Sequence, residues 1–463
     1  MKSIPQERIG LQLNSRINKF FKDYSVGTLL NRSNFKKEAG YSCLLLLKYI
    51  FTLVFTRKNL FQFLQTDGKT TPHPQKDSVY RLLNSPNHNW RKLLLLLGTG
   101  IIKDKLNPLT AEKRERVLII DDSLYSRNRS KKVELLARVK EHVSGKYIKG
   151  FRMLTLGWSD GNSFVPFLFS LLSSAKEKNR LMDINENIDK RTVGFKQRQQ
   201  SIKNALEVTV DLIREALRAG IKADYVLFDS WFAFPTTITQ VKSLGLDTIC
   251  MVKAMPKIFY LYQGKKFNLK ELYSQVKKRR GKAKILASVI VDIGSQKEGW
   301  NVPAKVVFVR DRNRSKQWLA ILTTDIDLSD EEVVRIYSKR WDIEVFFKMS
   351  KSYLKLAKEF QGRSYDQLVG HTTIVFMRYI MLMLEAREQS DSKTLGNLFF
   401  LYCEELKDIS FAEAILIFLD VLKEALKNEL MLTDKVFRKI YKSFISQIPS
   451  AYLNLLGIQG CES

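Results

Sequence analysis

The sequence predicts a mixed α/β protein: a sheet core that carries a β-rich insertion and lies between helical N- and C-terminal regions. Three observations predict it. Two short apolar runs, RVLIIDDS and ADYVLFDS, each end in carboxylates, as strands of α/β sheets do where they present functional groups. Strand-like and helix-like periods alternate around them. Both ends of the chain keep to the helical period.

Residues 1–110 read as helices, as in FKKEAGYSCLLLLKYIFTLVFTRKNLFQFLQ and SVYRLLNS, broken at TDGKTTPHPQKD and SPNHN. They predict a basic helical domain, expected to bind DNA. The core, residues 111–364, opens with RVLIIDDS. FRMLTLGWSDGNSFVPFLFSLL then gives two strands joined at Asp160 and Gly161, so a three-stranded meander is expected. Residues 192–219 predict one long basic helix leading into ADYVLFDS, followed by the helix PTTITQVKSLG and the strand DTICMVKA. From about 255 to 316 the strand-like pieces IFYLYQ, KILASVIVDIG and AKVVFVRD interrupt that alternation and form the insertion. QWLAILTTD restores a strand. Ser329 with Glu332 then makes a capping box for a helix expected to run unbroken past Lys351. Residues 365–463 predict a helical region for dimerisation or DNA contacts.

Composition narrows the partners. With 463 residues and 45% hydrophobic content the chain can fill more than one core. Lys and Arg number 77 against 48 Asp and Glu, a net charge of +29, and the sequence pI is near 9.8, so a polyanion is the expected partner and nucleic acid the first candidate. A membrane surface competes for that role. No uncharged apolar run reaches roughly 18 residues, however, and Lys48 interrupts the strongest one. Nothing in MKSIPQERIGLQLNSRINKF marks the chain for export, which gives an expectation of the cytoplasm. Cys43, Cys250, Cys403 and Cys461 lack the spacing of a zinc knuckle or redox pair, and the four histidines are as dispersed.

Chemistry concentrates in YSKRWDIEVFFKMSK. Tyr337, Arg340, Glu344 and Lys351 fall within an arc of about 60° on a continuous helix. Beside them runs an apolar stripe of Ile336, Ile343, Phe347 and Leu354, so the four polar residues flank a core. Asp122 follows one apolar strand and Asp229 another. Together with Glu344 they can converge to hold two divalent ions roughly 3.5–4 Å apart, the arrangement that cleaves phosphodiesters. Asp121 rivals Asp122: strand alternation sends the two to opposite faces, and sequence does not decide which faces the site.

The order of these residues, Asp, Asp, then Tyr-x2-Arg-x3-Glu-x6-Lys, resembles the DDE transposases of the bacterial insertion-sequence-four family, with the full YREK signature at Tyr337, Arg340, Glu344 and Lys351. The resemblance covers residues 117 to about 360. It implies a ribonuclease-H-like core with Asp122, Asp229 and Glu344 as catalytic metal ligands, Asp122 being preferred within IDDSLYSR. It implies Mg²⁺, two ions, with Mn²⁺ as a substitute. Tyr337, Arg340 and Lys351 would grip DNA phosphates, and Trp318 and Trp341 would stack on a flipped base. Trp231, in FDSWF, reads as structural. The implied activity is cut-and-paste transposition on double-stranded DNA, both terminal inverted repeats and target, by a homodimer, through a hairpin, at the bacterial nucleoid. The alternatives are a plain nuclease, a DNA-binding repressor or an inactive copy. The runs RNRSKK, KKRRGKAK and RDRNRSK would bind the DNA backbone.

Overall fold

Residues 16–66, 74–141, 145–279, 283–295, 299–311, 317–388, 394–404, 418, 421–422 and 434–447 are described by a computed structural model of the chain. Their strands join one sheet, and its centre sets the topology. Strand β1 (Val117–Ser126) runs antiparallel to β3 (Tyr147–Ser159), which runs antiparallel to β4 (Phe164–Leu172). On its other side β1 runs parallel to β5 (Tyr225–Phe228), and β5 parallel to β6 (Asp247–Val252). The order β4-β3-β1-β5-β6, a meander followed by two parallel strands, is that of a ribonuclease-H-like sheet. The meander turns where the sequence predicts: Gly161 has φ +85°, and Asp160 Oδ1 accepts the N–H groups of Asn162 and Ser163 at 2.9 and 2.8 Å. A short strand that the sequence did not announce, β2 (Ala137–Lys140), also pairs with β3.

The β-rich insertion extends this sheet. Beyond β6 lie β11 (Trp318–Thr323), β10 (Gly299–Arg310) and β9 (Ile285–Ser295), then the hairpin of β7 (Phe259–Tyr262) and β8 (Lys265–Asn268). The added strands are antiparallel and lie on the β6 side, so the meander and its covering helices are undisturbed.

Two helices expected to be continuous are broken. The basic stretch from 192 divides into α7 (Val193–Ser201) and α8 (Ala205–Arg218), because Asn204 caps α8 by accepting the Leu206 N–H at 2.9 Å. The Ser201 carbonyl meanwhile accepts from Ser173 N–H at the end of β4. Likewise the signature stretch divides into α11 (Asp330–Ser338), with its capping box at Ser329 and Glu332, and α12 (Trp341–Ser352). Lys339 and Arg340 form the joint. Lys339 Nζ donates to the Glu115 carbonyl at 2.7 Å just before β1, and Arg340 reaches into β1 itself.

The helical ends are not separate bodies. Strand β4 is buried along its whole length, packed by α6 (Trp90–Gly100), α7, α8, α12 and α13 (Tyr365–Glu388). A Cβ added to Gly98 of α6 would lie 2.4 Å from Phe167 Cβ, so glycine is what lets that helix reach the strand. One cluster of buried apolar side chains runs from Ile17 through the sheet into α13 and on to Cys403. The boundaries drawn at 110 and 365 thus cross a shared core. Among the described residues α13 is the one helix long and apolar enough to span a membrane, and its apolar window is wholly buried inside the protein.

Candidate active site

Parallel pairing of β1 with β5 sets the site. Ile120 lies beside Phe228, so the next residues along, Asp121 midway along β1 and Asp229 just past the end of β5, lie next to each other on neighbouring strands. Alternation then decides which β1 carboxylate faces α12. Val117, Ile119 and Asp121 share a side with Ser159, the cross-strand partner of Val117. Ser159 Oγ donates to Asp342 Oδ2 of α12 at 2.6 Å, which fixes that side as the one under α12. Asp121 therefore faces the helix that carries Glu344.

Arg340 joins the two carboxylates. Its Nη1 lies 3.0 Å from Asp121 Oδ2 and 3.3 Å from Glu344 Oε1, and its Nη2 3.4 Å from the same Glu344 oxygen. Asp121 is buried, and its carboxyl is pushed up to about 8, by burial first and then by the charge of Asp229, against the pull of Arg340. Asp121, buried beside the charge of Asp229 and shared by one guanidinium with the more exposed Glu344, lacks counter-charge. A hard divalent cation with oxygen ligands supplies it, so the donor set fits such an ion. Among the described residues no three His, Cys, Asp or Glu side chains are close enough together to hold one, and Arg340 lies between Asp121 and Glu344.

Asp122, the residue preferred from resemblance, points to the opposite face. It pairs with the Nε of Arg152, whose guanidinium lies 4.7 Å from the centroid of the Trp231 ring. Trp231 is 42% exposed, and its backbone N–H donates to Asp229 Oδ1 at 2.8 Å. The structural role expected of Trp231 is thus joined to a position beside an acid of the site. Its place two residues after Asp229 was a signal that sequence reading left unused. Nothing in the local sequence announced Arg152.

The signature residues separate. Tyr337 lies with Arg340 and the acids: burial raises its phenol, Arg340 opposes this, and Cys250, Asp229 and Asp121 raise it further. Lys351 is lowered by burial and raised by Glu344 and then Asp122, on the far side of Glu344 from the joint. The two tryptophans expected to stack on a base differ as well. Trp341 is 65% exposed at the joint. Trp318 is half-buried and packs against both Tyr273 and Phe308, with ring centroids 4.8 and 5.1 Å away, in one aromatic cluster with the insertion.

The basic runs are partly structural. Arg127 is buried and donates to the Phe360 carbonyl at 3.0 Å, and Arg279 pairs with Asp330 at 2.5 Å. Parts of the other two runs, residues 280–282 and 312–316, lie outside the described residues. Cys43, Cys250 and Cys403 are buried, while Cys461 lies outside the described residues.

Against known proteins, no curated protein matches the sequence. Among solved structures the chain is similar to the piggyBac transposase in a cryo-EM synaptic complex with hairpin DNA, at 10% identity and a TM-score of 0.45, covering 96% of this chain and 87% of that one. The family described as "DDE superfamily endonuclease" matches residues 55–320, more than half of the chain, a stretch that holds Asp121, Asp122 and Asp229 and ends before Glu344. The chain belongs to the DDE superfamily endonucleases.

Proposed function

We propose that this endonuclease is a transposase of the insertion-sequence-four type, which cuts double-stranded DNA at the inverted repeats ending its own element and joins the freed ends to target DNA. The observation that carries the reading is the placement of Asp121 and Asp229 next to each other on adjacent parallel strands, with Arg340 linking Asp121 to Glu344 of α12. These three carboxylates would hold the divalent metal, Asp121 taking the place that resemblance gave to Asp122. When bound, Mg²⁺ (two ions, with Mn²⁺ able to substitute) supplies positive charge to the scissile phosphate and acidifies the attacking water.

The protein's own groups do the rest. Arg340, with a charge it cannot shed, and Tyr337, with a phenol kept protonated by burial, can both donate to phosphate oxygens beside the acids. Lys351 supplies a point charge one or two helical turns further along the DNA path. Trp341, exposed at the joint, offers a ring to a base unstacked next to the cut. Burial of Asp121 excludes water from one side of the centre, which strengthens each of these interactions. The hairpin route and a homodimer bridging two ends complete the reading and are supported by the resemblance.

The test is product analysis on a labelled duplex spanning the boundary between the element and its flank, with Mg²⁺. A nick at the boundary followed by a hairpin, both lost in Glu344→Gln with DNA binding retained, is the expected result. Random nicking without boundary preference supports a plain nuclease instead. Binding with no cleavage in either Mg²⁺ or Mn²⁺ overturns the enzyme reading.

A further inference from the structure

Arg340 occupies the space among the acids that a metal must share. Its importance rests on Asp121, Asp229 and Glu344 being the metal-binding carboxylates. The guanidinium bridges Asp121 and Glu344, and its side chain is only 16% exposed. A half-buried guanidinium cannot lose its proton, and leaving its carboxylates without a new partner would strand charge on both sides. It stays until another anion takes it. The joint between α11 and α12 supplies a second, independent observation. Lys339 is anchored to Glu115 by its Nζ, 2.7 Å from the carbonyl and 3.1 Å from Oε2, while Trp341 on the other flank is exposed. Lys339 thus ties the joint to the residue before β1 independently of Arg340, whose own side-chain contacts are to Asp121 and Glu344. The anion that reaches this side is DNA phosphate, whose oxygens match the planar fork of a guanidinium.

We propose that Arg340 is a positioning residue that takes the metal's place in the DNA-free protein and passes to a DNA phosphate on binding, so that metal loading and DNA binding are positively coupled. Without DNA, Arg340 neutralises Asp121 and Glu344 and competes with divalent ions for them. With DNA, the phosphate draws the guanidinium away, and the oxygens of Asp121 and Glu344 that it held are open to a cation. Coupling of this kind is reciprocal: metal tightens DNA by the factor by which DNA tightens metal. An endonuclease so built is loaded chiefly where its substrate already sits.

The test measures Mn²⁺ binding to the full chain from the electron paramagnetic resonance signal of the free ion. It is run without DNA and with a pre-cleaved duplex that ends at the element boundary and has a blocked 3′ end. Wild type is expected to bind Mn²⁺ at least about tenfold more tightly with the duplex than without. Arg340→Gln is expected to gain about tenfold in DNA-free affinity and to lose most of the coupling. Arg340→Lys, which keeps the charge, stays close to wild type without DNA. Circular dichroism shows that each variant is folded, and a gain of metal affinity is not what a merely damaged protein gives. Mn²⁺ binding that Asp229→Asn removes, but that Arg340→Gln and the duplex leave unchanged, overturns the handover alone. Absence of Mn²⁺ binding in every arm, or binding that Asp229→Asn does not alter, removes the metal-site reading and the handover with it.

Discussion

Asp121 is buried beside a second acid, and Arg340 and the Asp122 backbone N–H answer its charge. The run IIDDS showed that one of two adjacent aspartates belongs to the site. The choice between them depends on which face of β1 lies under α12, a tertiary fact carried by Ser159 and Asp342 rather than by the run itself. Resemblance pointed to Asp122, and pairing geometry points to its neighbour. The tryptophans show the same division. Trp318→Ala removes a half-buried ring from its contacts with Tyr273 and Phe308 and is expected to destabilise the protein by about 2 kcal/mol, read from denaturant melts. Trp341→Ala is expected to leave stability within about 0.5 kcal/mol and to lower cleavage of the boundary duplex, since the ring is exposed. Equal destabilisation by both changes would contradict the separation of their roles.

Among the elements, two buried ionic networks bind the expected domains into one core. Arg198 of α7 makes paired contacts to Glu134 (2.7 and 2.8 Å) and to Asp366 at the start of α13 (2.9 and 2.7 Å). Arg198→Met leaves two buried carboxylates without their cation and is expected to cost about 3–5 kcal/mol in chemical denaturation. Arg378 of α13 pairs with Glu359 and donates to the carbonyls of Ile50 and Phe51, which belong to α3 (Cys43–Leu53).

Glu359 also accepts from the buried His371, and the pair sets a pH dependence. Burial works to raise the Glu359 carboxyl, but Arg378 and His371 outweigh it and hold it at about 2. Burial lowers the His371 imidazole below its ordinary 6.5, against Glu359. Both groups bind protons more readily in the unfolded chain. Their stabilisation is therefore complete above about pH 6.5 and is lost as pH falls, first through His371 and then, between about 4.5 and 2, through Glu359. The melting temperature is expected to drop between pH 7.5 and 5.5, and by less in His371→Gln; equal drops would rule out this assignment. Helix periodicity exposed the apolar stripes of these elements but not their breaks. Those depend on where Ser201, Lys339 and Arg340 find partners far away in the chain.

For the molecule as a whole, the strand order β4-β3-β1-β5-β6 brings the site to the C-terminal end of β5, beside the middle of β1 where the pairing of the two strands stops, and the insertion lengthens the sheet away from it. Alternation of strand and helix periods made the sheet, the meander and the insertion legible. The continuity of the core was not legible, because packing of α6 and α13 on β4 joins residues hundreds of positions apart. A charge of +29 predicts steep salt dependence of DNA binding: affinity is expected to fall by at least about a hundredfold between 50 and 200 mM salt, checked by titration at several salt concentrations. Within this frame Asp121, with Asp229 and Glu344, is expected to carry DNA cleavage, and Asp122 is not. That division of labour is tested most directly by single-turnover cleavage of the boundary duplex with Mg²⁺, comparing Asp121→Asn with Asp122→Asn at matched DNA binding. Loss of at least about a hundredfold in Asp121→Asn, with Asp122→Asn within about tenfold of wild type, is the predicted result. The reverse order would return the metal to Asp122 and contradict a site centred on Asp121.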